Sequence, residues 1–490
     1  MKNNIIQKLK HPAYLFMLFA TIAGISFIIL TPPGYNDDER THYIRVQQIA
    51  NGQLFNNIKP YPLKSGDHRS DSDRLIGYGP IDKNAYDFID SFFSDNENMP
   101  TRKLPIPYDS IISPDKRYHS TSLEEETSYQ ASPNSPFAYM PLVAGVIVGK
   151  NLGLSLMLEL MLSKLFQLIV CIFLIFLALK ILPRGKWILF AISVLPMTLI
   201  QLTAFTHDSL TYCFAILLFS YVYKIIYEKK KLTLSNYFIL PALAIAIGTM
   251  KMTYFPIALL CILIPILNQH WKNLKGWILT AGSFLASLLT FLAIFLQVNK
   301  INPDVSFANK DLNPTAQMDL LKSHPFRFLE AIFNSIFFQI PDDNYYLHAR
   351  QQLNIFGVLE GDRLFLQPWF MVASILAVFL AIVLTLADKN NLLFQKKEKL
   401  IFIISRYAIS AMCLFLIYFS LYLAIASPGI NYVWGVQTRY WLPFLPLLLI
   451  PQFAHIKLDS ILIKHSRTLV IALSSIVLID AIYSIGYNAL

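Results

Sequence analysis

The sequence predicts an all-α polytopic integral membrane protein with about eleven transmembrane helices. Residues of the AVILMFWYC set make up 55% of the chain and charged residues only 15%, against about 25% charged residues in a soluble domain. The apolar residues form long blocks, such as 278–295, and an almost uncharged stretch of about 18 or more residues is typical of a membrane span. This composition excludes a soluble enzyme, a disordered chain and a nucleic-acid binder that uses basic patches.

The net charge of +10 is unevenly distributed along the chain. Residues 32–135 carry 16 acidic and 11 basic residues, and residues 298–367 carry 8 acidic and 6 basic residues. The remaining bases lie mostly in short loops between apolar blocks, which is typical of cytoplasmic loops. We therefore expect both acidic regions to lie outside the cell. The four cysteines all lie within apolar blocks, and we interpret them as packing residues.

These patterns divide the chain into five consecutive parts. The first apolar block, from about residue 14 to residue 30, lacks a small-x-small cleavage site, so we expect a retained span with its N-terminus inside. The parts are the N-terminal end and first span (1–31), an extracytoplasmic loop with an acidic motif and a juxtamembrane helix (32–135), a core with a short segment and six spans (136–297), a second extracytoplasmic loop (298–367) and four C-terminal spans (368–490). The third of these C-terminal spans is predicted at 440–454.

The short apolar segment 137–149 is the ambiguous element of this topology. It has only 13 residues, whereas about 20 are needed to cross a bilayer. Counting it as a crossing would place the basic loop Lys229–Lys231 outside the cell, against the positive-inside rule. We therefore expect a re-entrant or juxtamembrane helix that does not cross.

An acidic motif follows the first span directly. Asn36 and Glu39 have the spacing of a capping box, so we expect a helix that starts here and lies on the outer leaflet. Asp38, His42 and Arg45 then share one helix face, at i, i+4 and i+7. The residues of this motif that are candidates for catalysis are Asp38, Asp37, Glu39 and His42. An alternative interpretation is that the acids only complement the helix dipole and face water.

Three further charged residues lie at predicted outer ends of spans. They are Asp208, Lys251 and Arg439. Each alone is typical of a snorkelling or capping charge. Together they bring two cations and a carboxylate to the same side of the membrane as Asp38, which suits a lipid-linked phosphate, and ionisable groups near membrane depth are functional candidates.

These residues also carry a family resemblance over nearly the whole chain. The opening motif Asp38-Glu39-x-x-His42, the sequence 135–141, the Asp208 loop, Lys251-x-x-Tyr254 and the segment 437–443 resemble, in order, landmarks of a bacterial multispanning family catalogued as domain of unknown function 2142. That family is thought to be related to the GT-C glycosyltransferases. Two positions depart from its pattern: Thr438 stands where glycine is usual, and 356–362 matches loosely.

The resemblance implies a GT-C-like membrane glycosyltransferase of the bacterial cell membrane, with its active site outside. It would use a polyprenyl-phosphate-linked sugar donor and a cell-envelope glycan or glycolipid acceptor. The residues expected to bind substrate are Lys251, Arg439, Asp208, Arg45 and Tyr254. Clustered carboxylates also suit Mg²⁺ or Mn²⁺, for which the candidate ligands are Asp38, Glu39 and Asp208. A transporter or flippase, or a polymerase of lipid-linked glycans, is the alternative function.

Overall fold

The structure is a computed structural model that describes most of the 490 residues. The residues described are 11–34, 36, 38–60, 75–92, 117–128, 131, 134–298, 314–337, 355–356, 358–360, 364–388, 396–424, 428–433, 435–450 and 456–489.

The first apolar helix leads into a small α/β unit. Helix α1 (Pro12–Leu30) begins with a proline. Proline is tolerated in the first helical turn because a backbone N–H there has no acceptor within the helix, so its absence costs no hydrogen bond. The unit that follows contains, in chain order, α2 (Glu39–Ala50), β1 (Asn57–Pro60), β2 (Leu75–Asp82), α3 (Lys83–Ser91) and β3 (Leu123–Thr127). Its strands form an antiparallel sheet in the order β1-β2-β3, in which Tyr78 of the central strand lies opposite Asn57 and Thr127.

The middle of the chain contains most of the apolar core. A 3₁₀ segment (Pro136–Tyr139) leads into the short helix α4, and two further 3₁₀ segments, Met252–Ile262 and Gln269–Trp271, flank the short helix α10. The α-helices of this region are α4 (Met140–Asn151), α5 (Leu156–Ile181), α6 (Lys186–Ser193), α7 (Pro196–Thr203), α8 (Asp208–Glu228), α9 (Asn236–Thr249), α10 (Leu263–Leu267) and α11 (Leu274–Val298).

The last third begins with the second predicted outer loop. The elements of this part are α12 (Pro314–Ser323), α13 (Phe326–Phe337), β4 (Val358–Glu360), β5 (Leu364–Phe365), α14 (Pro368–Leu386), α15 (Lys396–Ala424), α16 (Leu445–Leu449) and α17 (Ser460–Ala489). A two-stranded antiparallel ladder joins β4 and β5 in this loop, and a 3₁₀ segment, Thr438–Trp441, precedes α16.

Within the described residues, seven helices are long and apolar enough to cross a membrane: α1, α5, α8, α11, α14, α15 and α17. The pair α6 and α7 makes an eighth if both form one span, bent by 64°. The chain is therefore a helical, multi-pass membrane protein. The eleven predicted spans included three further blocks that do not form helices of this length. Of the block predicted at 440–454 the structure describes residues up to 450, and the helical elements among these are the 3₁₀ segment and the five-residue helix α16.

The other two shorter blocks are α9 and the segment Met252–Leu267. Helix α9 has 14 residues and so is about 21 Å long, short of the roughly 30 Å hydrocarbon core. The 3₁₀ portion of the second segment rises about 2 Å per residue instead of about 1.5 Å. Its 11 residues with the five of α10 therefore extend over about 30 Å.

The helix predicted after the first span is α2, and it is buried within the protein. The residues His42 to Ile49 are all buried, because α2 packs against α4 on one side and against β2 and α3 on another. Helix α4 in turn lies close against α5: a Cβ at Gly145 would stand 2.4 Å from Cα of Ser163. This close approach requires glycine at position 145, and it holds α4, against which α2 packs, close to α5.

Candidate functional site

The candidate site is assembled from the start of α2, the start of α8, the break after α9 and the 3₁₀ segment Thr438–Trp441. Asp38 precedes α2 with a left-handed backbone (φ 60°), which Asp tolerates better than most residues. Arg439 Nη2 donates to Asp38 Oδ2 at 3.2 Å, and Arg439 Nε lies 3.1 Å from Asp208 Oδ2. One guanidinium therefore bridges two carboxylates.

Lys251 is the fourth charged side chain of this group. Its Nζ donates to Asp208 Oδ1 at 2.9 Å and lies 3.8 Å from the centre of the Tyr440 ring, a cation–π geometry. Tyr254 anchors the same segment, since its hydroxyl donates to the backbone oxygen of Tyr440 at 2.8 Å. Lys251 occupies the break between α9 and the following 3₁₀ segment, where the backbone turns and the side chain reaches Asp208.

The four charged side chains Asp38, Asp208, Lys251 and Arg439 differ strongly in exposure. The side chain of Asp38 is 41% exposed, whereas those of Arg439 and Asp208 are 5% and 10% exposed. Buried charges need partners because desolvation is costly, and Asp208 supplies one carboxylate to both cations. Asp38 is the member that solvent, or an incoming anion, reaches most easily. We define these four residues as the charged cluster.

An imidazole pair lies beside the charged cluster. His42 and His207 have ring centres 5.2 Å apart, and His42 Nδ1 is 2.6 Å from the hydroxyl of Tyr139. Asn134 Nδ2 donates to the same hydroxyl at 3.1 Å. Burial lowers the pKa of His42 to about 4, so this imidazole is neutral near pH 7 and positions Tyr139.

A small cavity of about 10 Å³ adjoins the cluster, which is room for about one water molecule. A sugar therefore needs a rearrangement to enter here. The cavity has polar and apolar walls, contributed by α7, α8 and the segment after Arg439; its lining includes Thr198, Gln201, Ser209, Tyr212, Tyr254 and Leu442.

Glu39, predicted as a catalytic residue and metal ligand, has a different setting. Its carboxylate pairs with Lys164 of α5 at 2.6 Å, and the two side chains are 0% and 1% exposed. Its other oxygen accepts the backbone N–H of Asn36 at 3.2 Å, which is one half of the predicted capping box. Asp38, however, occupies the N-cap position. Glu39 thus fastens the start of α2 to α5.

Arg45, predicted to bind substrate, does not reach the cluster. It is 1% exposed and donates to acceptors in the loop after its own helix, namely the backbone oxygens of Gln53 and Leu54 and the side chain of Asn56. The helical register that placed Arg45 on the face of Asp38 does not hold, because Asp38 lies before the helix with a left-handed backbone; substrate binding by Arg45 stays a prediction. Asp37 lies outside the described residues.

The carboxylates predicted to bind a divalent cation do not fit one in this arrangement. Asp38 and Asp208 contact Arg439, and Glu39 contacts Lys164. Among the residues that the structure describes, no group of three or more His, Cys, Asp or Glu side chains is arranged to hold a metal ion.

Sequence reasoning missed several residues that shape the site. Tyr139, His207 and Tyr440 contact its members, and Lys164 holds Glu39. A signal existed for Lys164, since it is a cation in the interior of the apolar block 156–181 and such a charge needs a partner. Tyr139 and Tyr440 lie in the segments 135–141 and 437–443 that carry the family resemblance, but their residue type alone does not separate them from the aromatic residues common at span ends.

The whole chain was compared with known proteins. The family model described as "Predicted membrane protein (DUF2142)" matches residues 21–448. No curated protein and no solved structure matches the chain significantly. The matched range contains all members of the charged cluster, and it covers far more than half of the sequence. The chain therefore belongs to the DUF2142 family of membrane proteins.

Proposed function

We propose that this protein is a membrane glycosyltransferase of GT-C type, which transfers a sugar from a polyprenyl-phosphate donor to a cell-envelope glycan or glycolipid on the outer face of the bacterial cell membrane. The observation that carries the proposal is the charged cluster: the buried carboxylate of Asp208 fixes both Lys251 and Arg439, and Arg439 also contacts the partly exposed carboxylate of Asp38. At such a site the polyprenyl chain of the donor stays in the bilayer while its charged phosphate binds the two cations.

The two cations suit the leaving group. Asp208 holds Lys251 and Arg439 in place at nitrogen–oxygen distances of 2.9 and 3.1 Å. The two cations therefore need little movement when negative charge develops on a departing phosphate. Preorganised cations of this kind stabilise the transition state most where water is excluded. The low exposure of Arg439 satisfies that condition.

Asp38 suits the general base. In the proposed step the acceptor hydroxyl oxygen forms a bond to the anomeric carbon, and its proton passes to the Asp38 carboxylate. The bond between the anomeric carbon and the phosphate oxygen breaks, and the electron pair leaves with the polyprenyl phosphate. The donor phosphate takes the place of Asp38 on Arg439 Nη2, which releases the carboxylate toward the acceptor.

His42 and Tyr139 complete the proposed site as positioning groups. Their hydrogen bond of 2.6 Å fixes α4 against α2, and the His42 ring lies next to His207, the residue before Asp208. This arrangement links the carboxylate at the start of α8 to the helix that follows Asp38.

The direct test is to incubate the purified protein with radiolabelled polyprenyl-phosphate sugars and a mixed glycolipid acceptor. Release of free polyprenyl phosphate together with a labelled acceptor supports the proposal. Flipping of the unaltered donor across the membrane of reconstituted vesicles supports a transporter instead. Consumption of only lipid pyrophosphate oligosaccharides supports a polymerase, and either of these two results contradicts the proposal.

A further inference from the structure

A second buried charge network joins α2, α5 and the segment before β3. Glu159, in the first turn of α5, is 0% exposed. Its Oε1 accepts from Gln47 Nε2 of α2 at 2.7 Å, and its Oε2 lies 2.6 Å from His119 Nε2. Gln47 also donates to Tyr43 of the same helix. A single membrane-helix carboxylate thus holds both α2 and the segment before β3.

His119 is in contact with a second buried carboxylate. Its Nδ1 lies 3.6 Å from Oδ1 of Asp82, which is 0% exposed and caps α3 by accepting the backbone N–H of Ala85 at 3.0 Å. Ser120 donates to the other oxygen of Asp82 at 3.1 Å. We define Asp82, His119 and Glu159 as the histidine clasp, which joins α5 to the point where β2 ends and α3 begins.

We propose that His119 is a positioning residue for the candidate site: as an imidazolium between Asp82 and Glu159 it fastens the outer α/β unit to α5 and so holds α2, the helix that carries His42 and follows Asp38. When His119 loses its proton, the clasp opens and α2 loosens. This inference goes beyond the proposed function, because it depends on the contacts of the clasp alone.

The charge balance supports an imidazolium. The buried carboxylates of Glu159 and Asp82 lie 2.6 and 3.6 Å from the ring of His119. Because buried charges need a partner, a positively charged ring stabilises both carboxylates, whereas a neutral ring leaves their charges without compensation. Asp82 from β2 and Glu159 from α5 are the charged groups that act on His119 among the described residues, and Gln47 and Tyr43 face Glu159 from α2.

The direction of the pH dependence follows from these contacts. Burial lowers the pKa of His119, but the hydrogen bond with Glu159 and the negative charges of Glu159 and Asp82 outweigh it and raise the pKa to about 9. Because the folded-state pKa is above the unfolded value of about 6.5, the stabilisation is fully present below about pH 6.5. It is lost as the pH rises through about 9.

The test measures the accessibility of α2 in the full-length protein. Val46 of α2 is 0% exposed, so a cysteine introduced as Val46→Cys should be shielded from a maleimide at about pH 7 and should react as the pH rises through about 9. Leu152→Cys, at a position 66% exposed, corrects for the pH dependence of thiol reactivity itself. We expect the corrected rate to rise about tenfold or more.

Substitutions of His119 separate its charge from its size. In the Val46→Cys background, His119→Gln should make the thiol reactive already at about pH 7, and His119→Arg, which keeps its charge, should preserve protection at about pH 10. His270→Gln, at an exposed position, is the matched control and should change nothing. Unchanged protection at Val46→Cys across the whole pH range overturns the proposal. That titration needs no substitution in the clasp, so it decides even where His119→Gln does not fold.

Discussion

Arg439 and Asp38 lie 401 positions apart in the sequence, and their side chains meet at 3.2 Å. The same guanidinium reaches Asp208, so the start of the first outer segment, the start of α8 and the segment before α16 converge on one cation. The site therefore depends on the tertiary arrangement of segments that lie far apart in the chain. Arg439 is the residue on which this convergence depends.

We expect Arg439→Gln and Lys251→Gln to weaken binding of the lipid-phosphate donor. A hydrogen bond to a charged group contributes about 1.5–3 kcal/mol, which corresponds to a loss of about tenfold to a hundredfold in affinity. Lys230→Gln, whose side chain is 73% exposed, is the matched control and should bind donor normally. The affinity is measured by equilibrium binding of a fluorescent polyprenyl phosphate in detergent. If both site variants bind it with wild-type affinity, the two cations are only topological anchors.

The buried Glu39–Lys164 pair gives a prediction for stability. Glu39→Gln leaves the Lys164 ammonium, which is 1% exposed, without a counter-ion, and breaking a buried pair in this way costs about 3–5 kcal/mol. The double variant Glu39→Met, Lys164→Met removes both charges and should recover most of that loss. Apparent midpoints of thermal unfolding at one scan rate compare them. A double variant no more stable than Glu39→Gln argues against the pair.

Acid should destabilise the protein through His42. Its folded-state pKa of about 4 lies below the unfolded value, so the unfolded state binds the proton first and stability falls as the pH drops from about 6.5 to about 4. The loss is on the order of 3 kcal/mol. His42→Gln cannot take up that proton and should be less acid-sensitive than the wild type, whereas His270→Gln should follow the wild type. Parallel pH profiles of unfolding for all proteins would refute a buried neutral His42.

The proposed orientation is tested by cysteine labelling in intact cells. Leu123→Cys, in β3 and 56% exposed, should react with an impermeant maleimide, because we place the region before α4 outside. Lys230→Cys should react only after the membrane is permeabilised, since basic loops stay inside. Labelling of Lys230→Cys in intact cells would mean that the short helix α4 crosses the membrane, or that the orientation is inverted.

Long apolar helices and the convergence of charge were predictable from the sequence. Segments such as Pro12–Leu30 and Leu274–Val298 contain too few charges to be anything but membrane helices. The positive-inside rule assigned Asp38, Asp208, Lys251 and Arg439 to one side, and the structure brings these four side chains together. Residues can meet only if they lie on the same side of the membrane. The distribution of charges along the chain was therefore enough to predict the four members of the charged cluster.

The contacts of α2 were not predictable in the same way. Helical spacing assigned Arg45 to the face of Asp38, but the left-handed backbone of Asp38 breaks that register. Glu39 turns to Lys164, and His119 bridges Asp82 and Glu159. Each of these pairs joins residues far apart in the chain, and hydrophobic periodicity carries no information about which distant charges pair.

The short segments also escaped sequence reasoning. A 3₁₀ segment of 11 residues, Met252–Ile262, has the composition of an α-helical span, and hydropathy does not distinguish the two. The block 440–454 was predicted to be a span for the same reason, although Arg439 and Tyr440 are held at the site by contacts to Asp38, Lys251 and Tyr254. Tertiary contacts override local apolarity at these positions.

The most direct test of the central claim is the turnover of Asp38→Asn in the transfer assay, at matched expression and matched stability in detergent. Asparagine keeps the shape of the side chain and tolerates the left-handed backbone, but it does not accept the proton. If Asp38 is the general base, turnover should fall by at least about 10²–10⁴-fold, while Asp90→Asn, in the pair with Arg40 on the outer unit, should keep near-normal activity. Near-normal transfer by Asp38→Asn would contradict the account.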